Sequence, residues 1–249
     1  MITISMFGKW VLKIPDRYMD GSAMSNELGS LSPFIRSIIL RPDLVAIDTY
    51  CYKRIVEYCK GAQSVAEYFA GVGIMTLLAE EILHPKFHWI SDYSDDCVAF
   101  LQDVLCTKYA NINCEKRDAF NMQPYQVHSY DLISLDCNMS YGKLVNDPRY
   151  RSLVSMTVKK CPKFIHMSDK AAAYFHVNKS KYTKHFGFNV DSIEDYLVGL
   201  SLCFRDFGYH ISYAIGYKTA SHILLTKGIA GSFDFEWVDR ADDVDIFSS

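Results

Sequence analysis

Four carboxylates, Glu67, Asp92, Asp118 and Asp136, each follow or close a short apolar run. Just after the first comes Phe69-Ala70-Gly71-Val72-Gly73. Two glycines one residue apart allow a tight turn at positive φ and let a ligand approach the main chain with no Cβ in its way. A dinucleotide fingerprint would run on to a third glycine and set a pyrophosphate on a helix N-terminus. That glycine is missing, and Glu67 stands where it would repel phosphate and attract an ammonium. A second chemical signal lies further on. Between 174 and 188 lysines alternate with aromatics, a pattern that neutralises phosphates and stacks unpaired bases.

The elements that must position these residues follow from periodicity. Residues 64–70, 87–90, 111–115, 130–136 and 163–167 read as strands. Between them lie segments with helical spacing, opened by residues such as Ser94 and Asp147 and closed by breakers such as Gly61 and Pro85. Such alternation predicts a parallel α/β sheet. Residues 210–217 and 221–226 are too close to be anything but antiparallel. Upstream, residues 2–14 read as two short strands bent at Gly8, residues 16–32 as a long loop, and 43–60 as an amphipathic helix. In an open α/β sheet the ligand lies beyond the C-terminal ends of the strands, which is where the four acids fall.

The stretch Glu67-Tyr68-Phe69-Ala70-Gly71-Val72-Gly73 resembles the first motif of the class I S-adenosylmethionine-dependent methyltransferases. Asp92-Tyr93-Ser94-Asp95-Asp96-Cys97-Val98 resembles the second motif and Arg117-Asp118-Ala119-Phe120 the third. The resemblance covers roughly residues 43–228. It implies a Rossmann-like, seven-stranded, mostly parallel sheet with helices on both faces and its last strands antiparallel. Residues 1–42 would form a small hairpin-and-loop extension and residues 229–249 an acidic tail.

The cofactor implied is S-adenosylmethionine, held by Glu67, Phe69, Ala70, Gly71, Gly73, Asp92, Tyr93, Asp118, Ala119 and Phe120. Asp92 would take the ribose hydroxyls, Tyr93 would pack on the adenine and Asp118 would read its amino edge. Asp136-Cys137-Asn138-Met139 occupies the family's catalytic position without its usual prolines. Asp136 and Asn138 are the candidates to orient an acceptor, and Cys137 reads as a small strand-end residue rather than a nucleophile.

Composition bounds the rest. The 249 residues are 49% apolar and 22% charged, values of a globular chain with a sizeable core. No apolar run is long enough to cross a membrane and the N-terminus does not resemble a secretory leader, so a cytoplasmic protein is expected. The eight cysteines form no Cys-x-x-Cys pair and read as reduced core thiols, and no metal site is expected.

The net charge of −3 conceals an asymmetry. Residues 143–184 hold ten Lys and Arg against two acids, and residues 233–247 hold six acids against one Arg. The basic block predicts a nucleic-acid substrate bound by Lys170, Lys179, Lys181, Tyr182 and Lys184. Two other functions remain open. One is methyl transfer to a small molecule, with the basic segment as its cover. The other is a non-catalytic adaptor that keeps the fold.

Overall fold

Local chemistry decides where the elements begin and end. The computed structural model describes residues 2–6, 10–14, 42–122, 128–137, 139–160, 163–218, 220–228 and 231–239. The bend at Gly8, the 16–32 loop, Asn138, Cys161 and residues 240–249 lie outside that set. The chain forms two compact units, one of residues up to Ala119 and the other Phe120–Asp239.

In the first unit, β1 (Ile2–Met6) and β2 (Trp10–Ile14) pair antiparallel, Ile2 opposite Ile14. Helix α1 (Pro42–Tyr58) turns Cys51, Ile55 and Val56 inward, and its exit thiol Cys59 is buried as well. That spacing of about four is one face of a helix. Strand β3 (Ser64–Tyr68) leads through the glycine turn into α2 (Ile74–Ile82), which packs against α1.

Strand β4 (Phe87–Asp92) then runs parallel to β3, and β5 (Ile112–Lys116) parallel to β4. Between them α3 (Asp95–Leu101) continues into a π-helical turn, Gln102–Cys106. The Ser94 side chain caps α3 by accepting from the Cys97 N–H, and Asp95 and Asp96 in the first turn complement the helix dipole.

In the second unit, β6 (Leu132–Leu135) is fully buried and runs parallel to β7 (Phe164–Asp169). Helices α4 (Tyr141–Asn146) and α5 (Pro148–Lys159) lie between them. Pro148 opens α5 at a position where its missing N–H costs nothing, and Asp147 caps it. Helix α6 (Ala171–Phe186) ends at Gly187, whose φ is 75°, and α7 (Ile193–Arg205) opens with a reciprocal Ser192/Asp195 capping box.

Strand β9 (Ala220–Lys227) pairs antiparallel with both β7 and β8 (Tyr209–Tyr217). Strand β10 (Asp234–Val238) joins β8 in parallel. β3 to β10 are strands of one mixed sheet, α/β in class as expected. Among the described residues it has eight strands rather than seven. The eighth comes from the segment read as an acidic tail: Trp237 lies opposite Gly216, where a Cβ would sit 3.0 Å from the indole. Among the described residues, no helix is long and apolar enough to cross a membrane.

Candidate cofactor site

The glycine turn is built on left-handed backbone. Phe69 has φ 67°, Gly71 57° and Gly73 75°. A non-glycine residue held there costs about 1 kcal/mol or more, which surrounding structure must repay. The repayment is visible: the Ala70 N–H donates to the Ser91 carbonyl at 3.0 Å and the Gly73 N–H to the Ala70 carbonyl at 2.9 Å. Gly73 is required twice over, because a Cβ there would also sit 2.4 Å from Leu105. At Gly71 nothing lies within 4 Å of a Cβ position, so the main chain is open to a ligand.

Asp92, buried at the end of β4, is the hub of this corner. Its Oδ2 accepts from the Gly71 N–H at 3.0 Å and its Oδ1 from the Ser94 N–H at 2.9 Å. Its carbonyl accepts from the Arg117 N–H at 2.8 Å. One residue thus ties together the chain leaving β3, β4 and β5. Each carboxylate oxygen retains a second lone pair for a ligand hydroxyl. Next to it Tyr93 is exposed, Asp118 is exposed and Ala119 is buried.

Glu67 is placed differently. It is 2% exposed, its Oε1 lies 2.8 Å from His88 Nε2, and its Oε2 accepts from the Thr76 hydroxyl at 3.1 Å. His88 and Thr76 were not singled out by the sequence reading; their only signal is position, His88 one residue into the second strand.

The remaining candidates belong to the second unit. Phe120 packs against Tyr150 with the rings tilted and their centroids 4.8 Å apart, under the Arg149 guanidinium. Asp136 is half-buried at the end of β6. Cys137 beside it is buried, and burial, followed by the Asp136 charge, pushes its thiol up to about 12. It is no thiolate near neutrality.

A further acid was passed over in the sequence. Asp169, wholly buried at the end of β7, accepts from the Tyr196 hydroxyl at 2.7 Å, and that hydroxyl accepts from the Tyr141 N–H at 3.2 Å. Its position just before Lys170 repeats the strand-end pattern of the other four.

The segment in which lysines alternate with aromatics lies, up to Phe186, on helix α6. Tyr182 packs inward against Tyr196, with centroids 4.6 Å apart, and lies stacked on Phe186. Tyr174 is the exposed aromatic of that helix, at 59%. Lys170, Lys181 and Lys184 are exposed, whereas Lys179 is paired with Asp191 at 2.5 Å.

No family model and no curated protein matches the chain. Solved structures do. The methyltransferase domain of bacterial CtHen1-C superposes with a TM-score of 0.55 at 12% identity, covering 74% of this chain and 100% of that one. An S-adenosylmethionine-dependent methyltransferase from Clostridium acetobutylicum gives 0.54 at 11% identity, over 82% and 100%. An O-methyltransferase family protein from Burkholderia thailandensis gives 0.54 at 9% identity, over 81% of this chain and 61% of its own length. With the strand pairing and the glycine corner described above, these likenesses identify the fold of the chain as that of the class I S-adenosylmethionine-dependent methyltransferases.

Proposed function

We propose that this chain binds S-adenosylmethionine and transfers its methyl group to a nucleic acid. The observation that carries the cofactor half is the Asp92 hub, whose carboxylate holds the chain leaving β3 and β4 and whose main-chain carbonyl holds the chain leaving β5. The residues present fit the group. Gly71 leaves open space at its Cβ position, Asp92 has acceptor capacity for two ribose hydroxyls, and Tyr93 and Asp118 stand exposed beside it. Phe69, Ala70, Gly73, Ala119 and Phe120 complete the proposed cradle, with Glu67 acting from behind the turn. The cofactor supplies a methyl already activated on a sulfonium. Asp136 and Asn138 are proposed to orient the acceptor, with Asp136 taking its proton.

The substrate half rests on charge and on α6. Its exposed Tyr174, Lys181 and Lys184 supply a stacking face and phosphate contacts, with Lys170 at the start of the helix. Tyr174 takes the role first expected of Tyr182. A cytoplasmic setting belongs to the same proposal and rests on free cysteines buried in the core.

Transfer to a small molecule is the second reading. It is favoured by the pairing of Lys179 with Asp191 and the inward packing of Tyr182, which thin the basic aromatic face.

Incubation with methyl-labelled cofactor, total nucleic acid and a small-molecule extract separates these readings. The expected label is in nucleic acid, reduced in Lys181→Ala/Lys184→Ala and falling steeply from about 50 to about 200 mM salt. Label in small molecules overturns the substrate half. Label in neither fraction leaves the non-catalytic adaptor.

A further inference from the structure

Glu67, Glu80 and His88 form a buried cluster that methyl transfer does not itself require. They are 2%, 5% and 1% exposed. Two carboxylates removed from water are costly unless a cation and hydrogen bonds compensate them. His88 supplies both. Its Nε2 lies 2.8 Å from Glu67 Oε1 and its Nδ1 2.7 Å from Glu80 Oε1. A neutral imidazole has one N–H and one lone pair, so it can donate to only one of two ionised carboxylates. Donation to both makes the ring an imidazolium.

The remaining carboxylate oxygens are occupied as well. Thr76 donates to Glu67 Oε2 at 3.1 Å, and the Asn111 amide donates to Glu80 Oε1 and Oε2 at 2.9 and 3.1 Å. The anchors of this network lie on, or directly before, the elements that carry the glycine corner. Glu67 is on β3 two residues before Phe69, and Thr76 and Glu80 are on α2, which begins just after Gly73. His88 is on β4 four residues before Asp92, and Asn111 immediately precedes β5.

We infer that His88 is a positioning residue for this corner: shared between Glu67 and Glu80, it clamps β3, α2 and β4, so that cofactor affinity follows its protonation. The inference rests on the cofactor reading above. Burial alone would push the ring's pKa down, but the hydrogen bonds to Glu67 and Glu80, and then their charges, raise it to about 9. Among the described residues, the other titratable groups around it are the Cys106 thiol of the π-helical turn, which feels the His88 charge, with its partner Cys114, and Glu81 beside Glu80, whose carboxylate is engaged by the Tyr109 hydroxyl and the outlying Lys108 ammonium. None of these replaces the lost cation. As pH rises through about 9 the proton leaves, one buried carboxylate loses its donor, and the clamp loosens.

The test is calorimetry of S-adenosylhomocysteine binding from about pH 6.5 to about pH 10 in wild type and Glu80→Gln, with the His88 ring followed by NMR. The amide carbonyl introduced by that substitution still accepts the Nδ1–H but no longer holds the charge. The ligand's own amine titrates alike in both proteins, so the difference between them is the readout. Wild type is expected to lose affinity about tenfold per pH unit beyond the His88 midpoint. In Glu80→Gln both the NMR midpoint and the loss of affinity are expected to move together by about one pH unit or more to lower pH.

Coincident affinity profiles in the two proteins would overturn the inference, as would a wild-type NMR midpoint at the ordinary value of about 6.5. Absence of binding at every pH would overturn the cofactor reading and the coupling with it. Should Glu80→Gln not fold, wild type with adenosine, which carries no amine titrating in this range, decides: affinity that stays flat while the ring titrates overturns the coupling, and affinity that falls with it supports it.

Discussion

Asp92 and Glu67 are both buried acids at the ends of neighbouring strands, yet they do different work. Among the described residues, the Asp92 carboxylate accepts from backbone N–H donors, one at each oxygen, and each oxygen keeps a lone pair for a ligand. Glu67 meets side chains, and its charge is spent on His88. The difference lies in which neighbours each carboxylate meets, and those neighbours lie on other elements. The same holds at Cys137, where spacing alone admits a nucleophile. Burial and the adjacent Asp136 keep its thiol protonated, with a pKa pushed up to about 12. Alkylation with iodoacetamide at about pH 8, followed by mass spectrometry, is expected to label the half-exposed Cys106, whose thiol is held below its ordinary pKa chiefly by its hydrogen bond with Cys114, and to leave Cys137 unmodified in the native protein. Rapid labelling of Cys137 would restore it as a candidate nucleophile.

Elements were legible where punctuation is strong. Gly71 and Gly73, Pro85, Ser94, Pro148 and Ser192 mark boundaries through backbone chemistry that needs no tertiary partner. Helix α6 was hidden because its inward residues, Phe175, Tyr182 and Phe186, are separated by two helical turns and then one, with lysines between. Strand β10 was hidden by its acids, which interrupt Phe235, Trp237 and Val238, and its pairing with β8 is long-range.

Packing between elements also left a sign that reads wrongly in isolation. Gly199 lies inside α7, where alanine would ordinarily add about 1 kcal/mol. The Phe186 ring occupies that space, with Cδ2 2.2 Å from where a Cβ would stand. Overpacking of this kind costs about 1–3 kcal/mol. Gly199→Ala is therefore expected to lower the denaturation midpoint in urea, and a raised midpoint would show that α6 and α7 do not meet as described.

At the scale of the whole chain, identities of 9–12% with solved methyltransferases coexist with a shared fold. A sheet of this kind tolerates exchange of almost every residue provided that each strand stays apolar and the turns at the strand ends keep their geometry. The glycine turn after β3 was legible for that reason, since Gly71 and Gly73 are read from backbone requirements. The acceptor side was not, because specificity lies in side chains set by each chain's own chemistry.

The central claim is that the corner around Asp92 binds S-adenosylmethionine. Calorimetry at about pH 7 with wild type, Asp92→Asn and Asp92→Ala tests it most directly. The account predicts one-site binding to wild type. It also predicts affinity weaker by about 10-fold to 100-fold in Asp92→Ala, from lost hydrogen bonds to a charged group, with an unchanged circular dichroism spectrum. Asp92→Asn should fall between them. Equal affinity in all three proteins, or no binding to wild type, would contradict it.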